Sequence, residues 1–132
     1  RRQQAEMIAQ IIARAEHKSG AFVLTGDMND GPESAALQPM LTVEGNALVN
    51  ALADAAETRP AKQESEGSGP QSPVWTYRHN PSGPTQPQFS LLDQIWLSQS
   101  LGNKLVSAHI DRRSKHGGDG SDHDPAWVVV EV

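Results

Sequence analysis

Ala21-Phe22-Val23-Leu24-Thr25-Gly26-Asp27-Met28-Asn29-Asp30-Gly31-Pro32 is the stretch on which the reading of the fold turns. Ala21 to Leu24 is an uninterrupted apolar run, which suits a strand over residues 21–25 covered on both faces. Gly26 to Pro32 is a dense turn signal that ends it. Upstream, residues 3–18 read as an amphipathic helix. Ala5, Ile8, Ile12 and Ala15 recur at spacings of three and four, and Met7 and Ile11 widen the stripe. Gly20 is placed to stop that helix, because glycine accepts the left-handed conformation its C-terminus needs. Downstream, Pro32 suits the first turn of a helix. A short helix is predicted through Leu37 to Leu41 and a second around Leu48 to Ala56.

Residues 58–73 hold three prolines, two glycines and, apart from Ala61, no apolar side chain, so they read as a mobile surface loop. After it the pattern turns to strands: Val74-Trp75-Thr76-Tyr77, Leu91 to Leu97, Leu105 to Ile110 and the valine-rich Ala126 to Val132, with Pro81-Ser82-Gly83-Pro84 as a loop. A helix–strand–helix start followed by close strands predicts a mixed α/β or α+β architecture in one domain over residues 1–132.

Composition narrows the function classes. The chain has 132 residues, 11 Lys+Arg against 16 Asp+Glu, and a formal charge of −5. It has no cysteine, so disulfides, thiolate metal ligands and cysteine nucleophiles within it are excluded. No stretch approaches the roughly 18 apolar residues of a membrane-spanning helix. Net acidity also argues against broad, non-specific nucleic-acid binding, which rests on Lys and Arg neutralising phosphates. The opening Arg1-Arg2-Gln3-Gln4 runs straight into the helical pattern with no Met, and reads as a piece of a longer protein.

Strand direction gathers polar residues that are far apart in sequence. Suppose strands 91–97, 105–110 and 126–132 form an up-down meander, with strand 21–25 opposed to the first and last. Asp27, Asn29, Asp93, Asp122 and His123 then converge on one edge. Carboxylates and an amide oxygen are hard ligands suited to Mg²⁺, Mn²⁺ or Ca²⁺. Such a cation polarises a phosphoryl oxygen. A histidine paired with a carboxylate donates to developing phosphorane oxygens, and a second carboxylate orients or deprotonates water. The set suits hydrolysis of a phosphate ester.

Each element also has a structural reading. An Asp-x-Asn-Asp-Gly turn serves any loop that bonds its own backbone. Asp93, in an apolar strand, implies either a structural ion pair or a site, since an unpartnered buried carboxylate costs several kcal/mol. His123 between two aspartates fits a turn. A Ser-His-Asp hydrolase through Ser121 lacks the nucleophile-elbow pattern. Arg112-Arg113-Ser114-Lys115-His116 is a basic patch that either draws a phosphorylated ligand or is a solvated loop. Trp75 and Trp96 read as packing residues before base-stackers.

Gly26-Asp27-Met28-Asn29, Leu92-Asp93-Gln94-Ile95-Trp96-Leu97-Ser98 and Ser121-Asp122-His123-Asp124-Pro125 resemble, in order, the last three motifs of the endonuclease/exonuclease/phosphatase superfamily. Asp30-Gly31-Pro32-Glu33-Ser34 and Trp75-Thr76-Tyr77 also look like its bacterial members. The resemblance implies one half of a two-layer, deoxyribonuclease-like α/β (α+β) sandwich, with a mixed, mainly antiparallel sheet and helices on one face. It implies a metal-dependent phosphodiesterase, nuclease or phosphatase that usually uses Mg²⁺. Asp27 would position or activate the attacking water, Asn29 would hold a phosphate oxygen or a second metal, and Asp122 would be a metal ligand, with Asp27 and Asn29 as the other metal candidates. His123 would touch the scissile phosphate with Asp93 orienting its imidazole.

The family's earlier motifs, an Asn, a metal-binding Glu and a further His or Tyr, are not found in this sequence. The chain therefore resembles the carboxyl-terminal half alone, of low or no activity by itself, its N-terminal half being a missing partner. Without the sister sheet, an apolar face of residues such as Phe22, Leu24, Ile95 and Val129, or their alternates along the strands, is expected to drive a two-fold homodimer. The substrate is a phosphate ester: nucleic acid, phospholipid head group or small molecule. The alternative is a non-catalytic interaction or oligomerisation module that keeps the fold.

Overall fold

The computed structural model describes residues 1–58, 74–83, 86–112 and 120–131, without the side chains of 15–19 and 58. The expected polar loop, from residue 59 on, and the basic residues 113–116 lie outside them. Helix α1 spans Arg2–Ser19 and ends at Gly20, whose φ of 64° is the left-handed turn expected there. Its buried stripe is Ala5 and Ile12, with Ile8 packed beside them. Met7 and Ile11 are 64% and 63% exposed, so the stripe is narrower than predicted. At about 100° per residue, Met7 stands about 200° around the helix from Ala5.

Strand β1 (Val23–Asp27) starts two residues later than predicted and runs through Asp27. Pro32 lies in a turn closed by Ser34 N–H donating to Gly31 O at 3.0 Å, not in a helix. Pro39 opens the short helix α2 (Gln38–Leu41) instead. Strands β2 (Thr42–Val43) and β3 (Asn46–Ala47) form a hairpin through Glu44 and Gly45, both at positive φ.

The helix predicted around residues 48–56 does not form. Strand β4 (Val49–Asn50), a turn over 51–54 and strand β5 (Ala56–Thr58) take its place. Ala- and Leu-rich composition suggested a helix, but the segment's backbone is claimed by two different sheets. Val49 pairs with Leu97, and Ala56 pairs with His109. Asn50 Oδ1 accepts the Leu52 N–H at 3.1 Å to turn the corner, and Ala51 and Leu52 are buried there.

Strands β6 (Tyr77–His79) and β7 (Gln88–Ser90) make a second hairpin. Strand β8 (Asp93–Leu97), helix α3 (Gln99–Gly102), β9 (Leu105–Asp111) and β10 (Ala126–Val130) complete the described chain. The three late strands do not form a single meander. One sheet is ordered β1-β8-β4 and the other β10-β9-β5, with only the β5–β9 pair parallel. The architecture is thus a mixed α+β, sandwich-like fold with mostly antiparallel sheets. No described helix is long and apolar enough to cross a membrane.

Period-two alternation assigns each strand side chain a face. On β8 and β1, Trp96 and Leu24 turn to the α1 side, where they join Ala5, Ile12, Leu37, Met40 and Leu41. Ile95 and Leu97 turn the other way and meet Val128 and Val130 of β10 between the sheets. Of the four residues expected on an exposed face, Phe22, Leu24 and Ile95 are therefore packed, and only Val129 is open, at 46%. Leu97 is fully buried at the inter-sheet contact. Leu97→Ala is expected to cost about 2–5 kcal/mol. Urea denaturation checks it as a lower midpoint at unchanged slope.

Candidate active site

Asp27 ends β1 and Asp93 begins β8, and the register places them directly opposite one another. Both have the parity of Ile95, so both face the other sheet. Like charges directly opposed across an antiparallel pair are destabilising unless a cation intervenes. His123 supplies it. Its Nδ1–H donates to Asp93 Oδ2 at 2.6 Å, because a carboxylate beside that nitrogen requires the proton there.

His123 comes from the turn before β10, and three contacts fix its place. Its backbone bridges Tyr77 antiparallel, its N–H reaches Ser121 Oγ at 3.1 Å, and its ring lies 5.0 Å from the Tyr77 ring. Thr76, fully buried, joins the two segments that carry the dyad. Its Oγ1 accepts the Asp93 N–H at 3.1 Å and its carbonyl accepts the Asp124 N–H at 2.8 Å.

The loop after Asp27 is built by local bonds. Asn29 sits at φ 52°, a left-handed position asparagine tolerates, and its N–H donates to Asp27 Oδ1 at 2.8 Å. Asp30 takes the Ser34 hydroxyl at 2.7 Å, and this bond, aided by Arg1 and against burial, holds its carboxyl below the ordinary 3.8. Gln94, 1% exposed, locks the loop to β8. Its Nε2 donates to Asp30 O at 2.7 Å and to Leu91 O at 3.0 Å, while its Oε1 accepts Trp96 Nε1–H at 2.8 Å.

The result is a cleft of about 320 Å³ between the sheet edges, lined by Asp27, Asp93, Ser121, His123 and Asp124 among others. Two of the expected site residues lie outside that lining. Asn29 is exposed, and Asp122, its side chain 70% exposed, holds Oδ1 4.0 Å from His123 Nε2. Burial disfavours the charged imidazole. The bond to Asp93 and the charges of Asp93, Asp27 and Asp122 outweigh it and raise the His123 pKa above 6.5.

The donor chemistry suits a hard cation. Among the described residues no three His, Asp or Glu side chains are grouped to hold a metal ion. Asp93 is committed to His123, so Asp27 and Asp122 are the carboxylates that could hold one, with water and a phosphate oxygen filling its remaining positions.

Sequence reading missed Thr76, Tyr77, Gln94, Asp124 and Arg112 as parts of this site. Arg112 had been counted in a basic surface patch. It is 6% exposed and bonded internally, and so takes no part in a solvated patch. An arginine directly after an apolar strand, with an Asp-Pro turn following, was the available signal. Trp75 and Trp96 are both buried, as their packing role required.

Residues 1–123 match the profile described as the Endonuclease/Exonuclease/phosphatase family, and the chain belongs to that family. No curated protein and no solved structure matches it.

The raised His123 pKa has a definite sign. The pair's contribution to stability is fully present below pH 6.5 and is lost as pH rises through the raised folded value. Asp93→Asn should therefore lower stability most at pH 6 and least in alkali. Denaturant midpoints taken between pH 5.5 and 9 check this, and a difference that grows with pH contradicts it.

Proposed function

We propose that this site hydrolyses phosphate esters with a divalent cation, Mg²⁺ first and Mn²⁺ or Ca²⁺ as alternatives. The observation that carries the reading is the 2.6 Å His123–Asp93 bond with Asp27 opposite it in one cleft. The imidazolium donates its Nε2–H to a phosphoryl oxygen, stabilising the charge that gathers as water attacks. Asp93 holds the ring and keeps it protonated. One Asp27 oxygen takes the Asn29 N–H, and the other orients and deprotonates the water. Asn29 reaches a phosphate oxygen from the rim, and Asp122 offers an exposed carboxylate to the cation. The cation, when bound, neutralises phosphoryl charge.

The lack, among the described residues, of any group of three His, Asp or Glu side chains supports a second part of the proposal. The remaining ligands come from an N-terminal half that acts as partner, and the 132-residue chain alone binds the cation weakly and turns over slowly or not at all. Calorimetric titration with Mg²⁺ or Mn²⁺ is expected to give weak heat that Asp122→Ala removes. With the complementary half supplied, hydrolysis of an activated phosphodiester should appear and fall at least about 100-fold in His123→Ala. Efficient Mg²⁺-dependent turnover by the 132-residue chain, abolished by His123→Ala, overturns the second part. Turnover indifferent to His123→Ala overturns the first part, and no turnover even with the complementary half favours a non-catalytic module.

We also propose that a second copy covers the strip formed by Val106, Trp127 and Val129, which are 64%, 40% and 46% exposed. They lie on β9 and on β10, an edge strand among the described residues. Sedimentation at micromolar concentration should give a dimer that Trp127→Lys dissociates. A monomer at every concentration overturns it.

A further inference from the structure

Arg112, the first residue after β9, is the most enclosed cation among the described residues, at 6% exposure. Its guanidinium gathers three segments. Nη1 donates to Asp124 Oδ2, and Nη2 donates to Glu57 Oε1 at 3.0 Å and to the Trp75 carbonyl at 2.6 Å. The plane stacks on the Trp75 ring, with Cζ 3.5 Å from the ring centroid. A planar fork makes these bonds at once, which a lysine ammonium cannot reproduce.

One of those segments carries His123, and another reaches Asp93 through Thr76. Asp124 adjoins His123 and is 8% exposed. Trp75 adjoins Thr76, whose hydroxyl holds Asp93 and whose carbonyl holds Asp124. Asp111, on the other side of Arg112, donates its N–H to Pro125 O at 2.8 Å. The C-terminal side of the turn that presents His123 is therefore held, at Asp124 and Pro125, by bonds that begin at or beside Arg112. No contact joins the guanidinium to His123 or Asp93, and Arg112 is not among the residues lining the cleft.

We propose that Arg112 is a positioning residue: by gripping Asp124 and the Trp75 carbonyl together, it sets the separation at which His123 Nδ1 meets Asp93. It acts through the turn and never touches substrate. The proposal rests on the reading of His123 and Asp93 as the working pair, yet its test contains no substrate. Absence of hydrolysis would sink that reading and leave this one standing.

The test compares wild-type chain with Arg112→Lys, which keeps the charge and loses the fork, and with Asp124→Ala, which removes the oxygen that Nη1 grips. A core variant away from the site, Leu101→Ala, serves as the stability control. Ring-nitrogen NMR reads the signature of a His123 Nδ1–H bonded to Asp93. The signature should be present in wild type and in Leu101→Ala, and lost in both Arg112→Lys and Asp124→Ala while their backbone spectra stay dispersed. Retention of the signature in either folded site variant overturns the proposal. So does its loss in Leu101→Ala, since a general loosening would then account for the effect. If Arg112→Lys does not fold, Asp124→Ala decides alone.

Discussion

Where β1 and β8 run out together, two aspartates are left facing each other, and the cost of that opposition organises the site. A positive group close by relieves it, and the imidazole of His123 is the group that arrives. The demand runs both ways. The aspartates favour the charged form of the ring, and the protonated ring lets them stand opposed at the mouth of a cleft. Thr76, the Tyr77 bridge, Asp124 and Arg112 hold the turn that delivers His123 to this position. Gln94 does the equivalent for the Asp27 loop.

Much of this was legible as pattern. The apolar runs at 21–24, 91–97, 105–110 and 126–130 are strands, and Gly20 ends the first helix, because burial on a pleated sheet and a left-handed helix stop both leave local signatures. The meeting of Asp27, Asp93 and His123 was foreseen from strand direction, although the assumed route was wrong. The antiparallel opposition of β1 and β8 was sufficient, whichever sheet the later strands joined.

What stayed hidden depended on partners distant in the chain. Leu48 to Ala56 has the composition of a helix, and nothing local says that one end will pair with Leu97 and the other with His109. Arg112 sits in a run of basic residues, and charge counting cannot tell a solvated arginine from one stacked on Trp75 and bonded to Glu57. Met7 and Ile11 extend an apolar stripe on paper, but the stripe buried in the fold is only as wide as the surface that receives it.

The pairing of Val23 with Leu97 carries a consequence for how the chain comes to exist. Among the described residues, β1 bonds to no strand except β8, so a nascent polypeptide emerging from the ribosome holds its early strand idle until residue 97 is clear. Throughout that interval the backbone edge of β1 lacks its ladder partner, the sort of surface on which chaperones act and aggregates begin. Synthesis speed and chaperone supply thus bear on the yield of this protein before any chemistry at the cleft can begin.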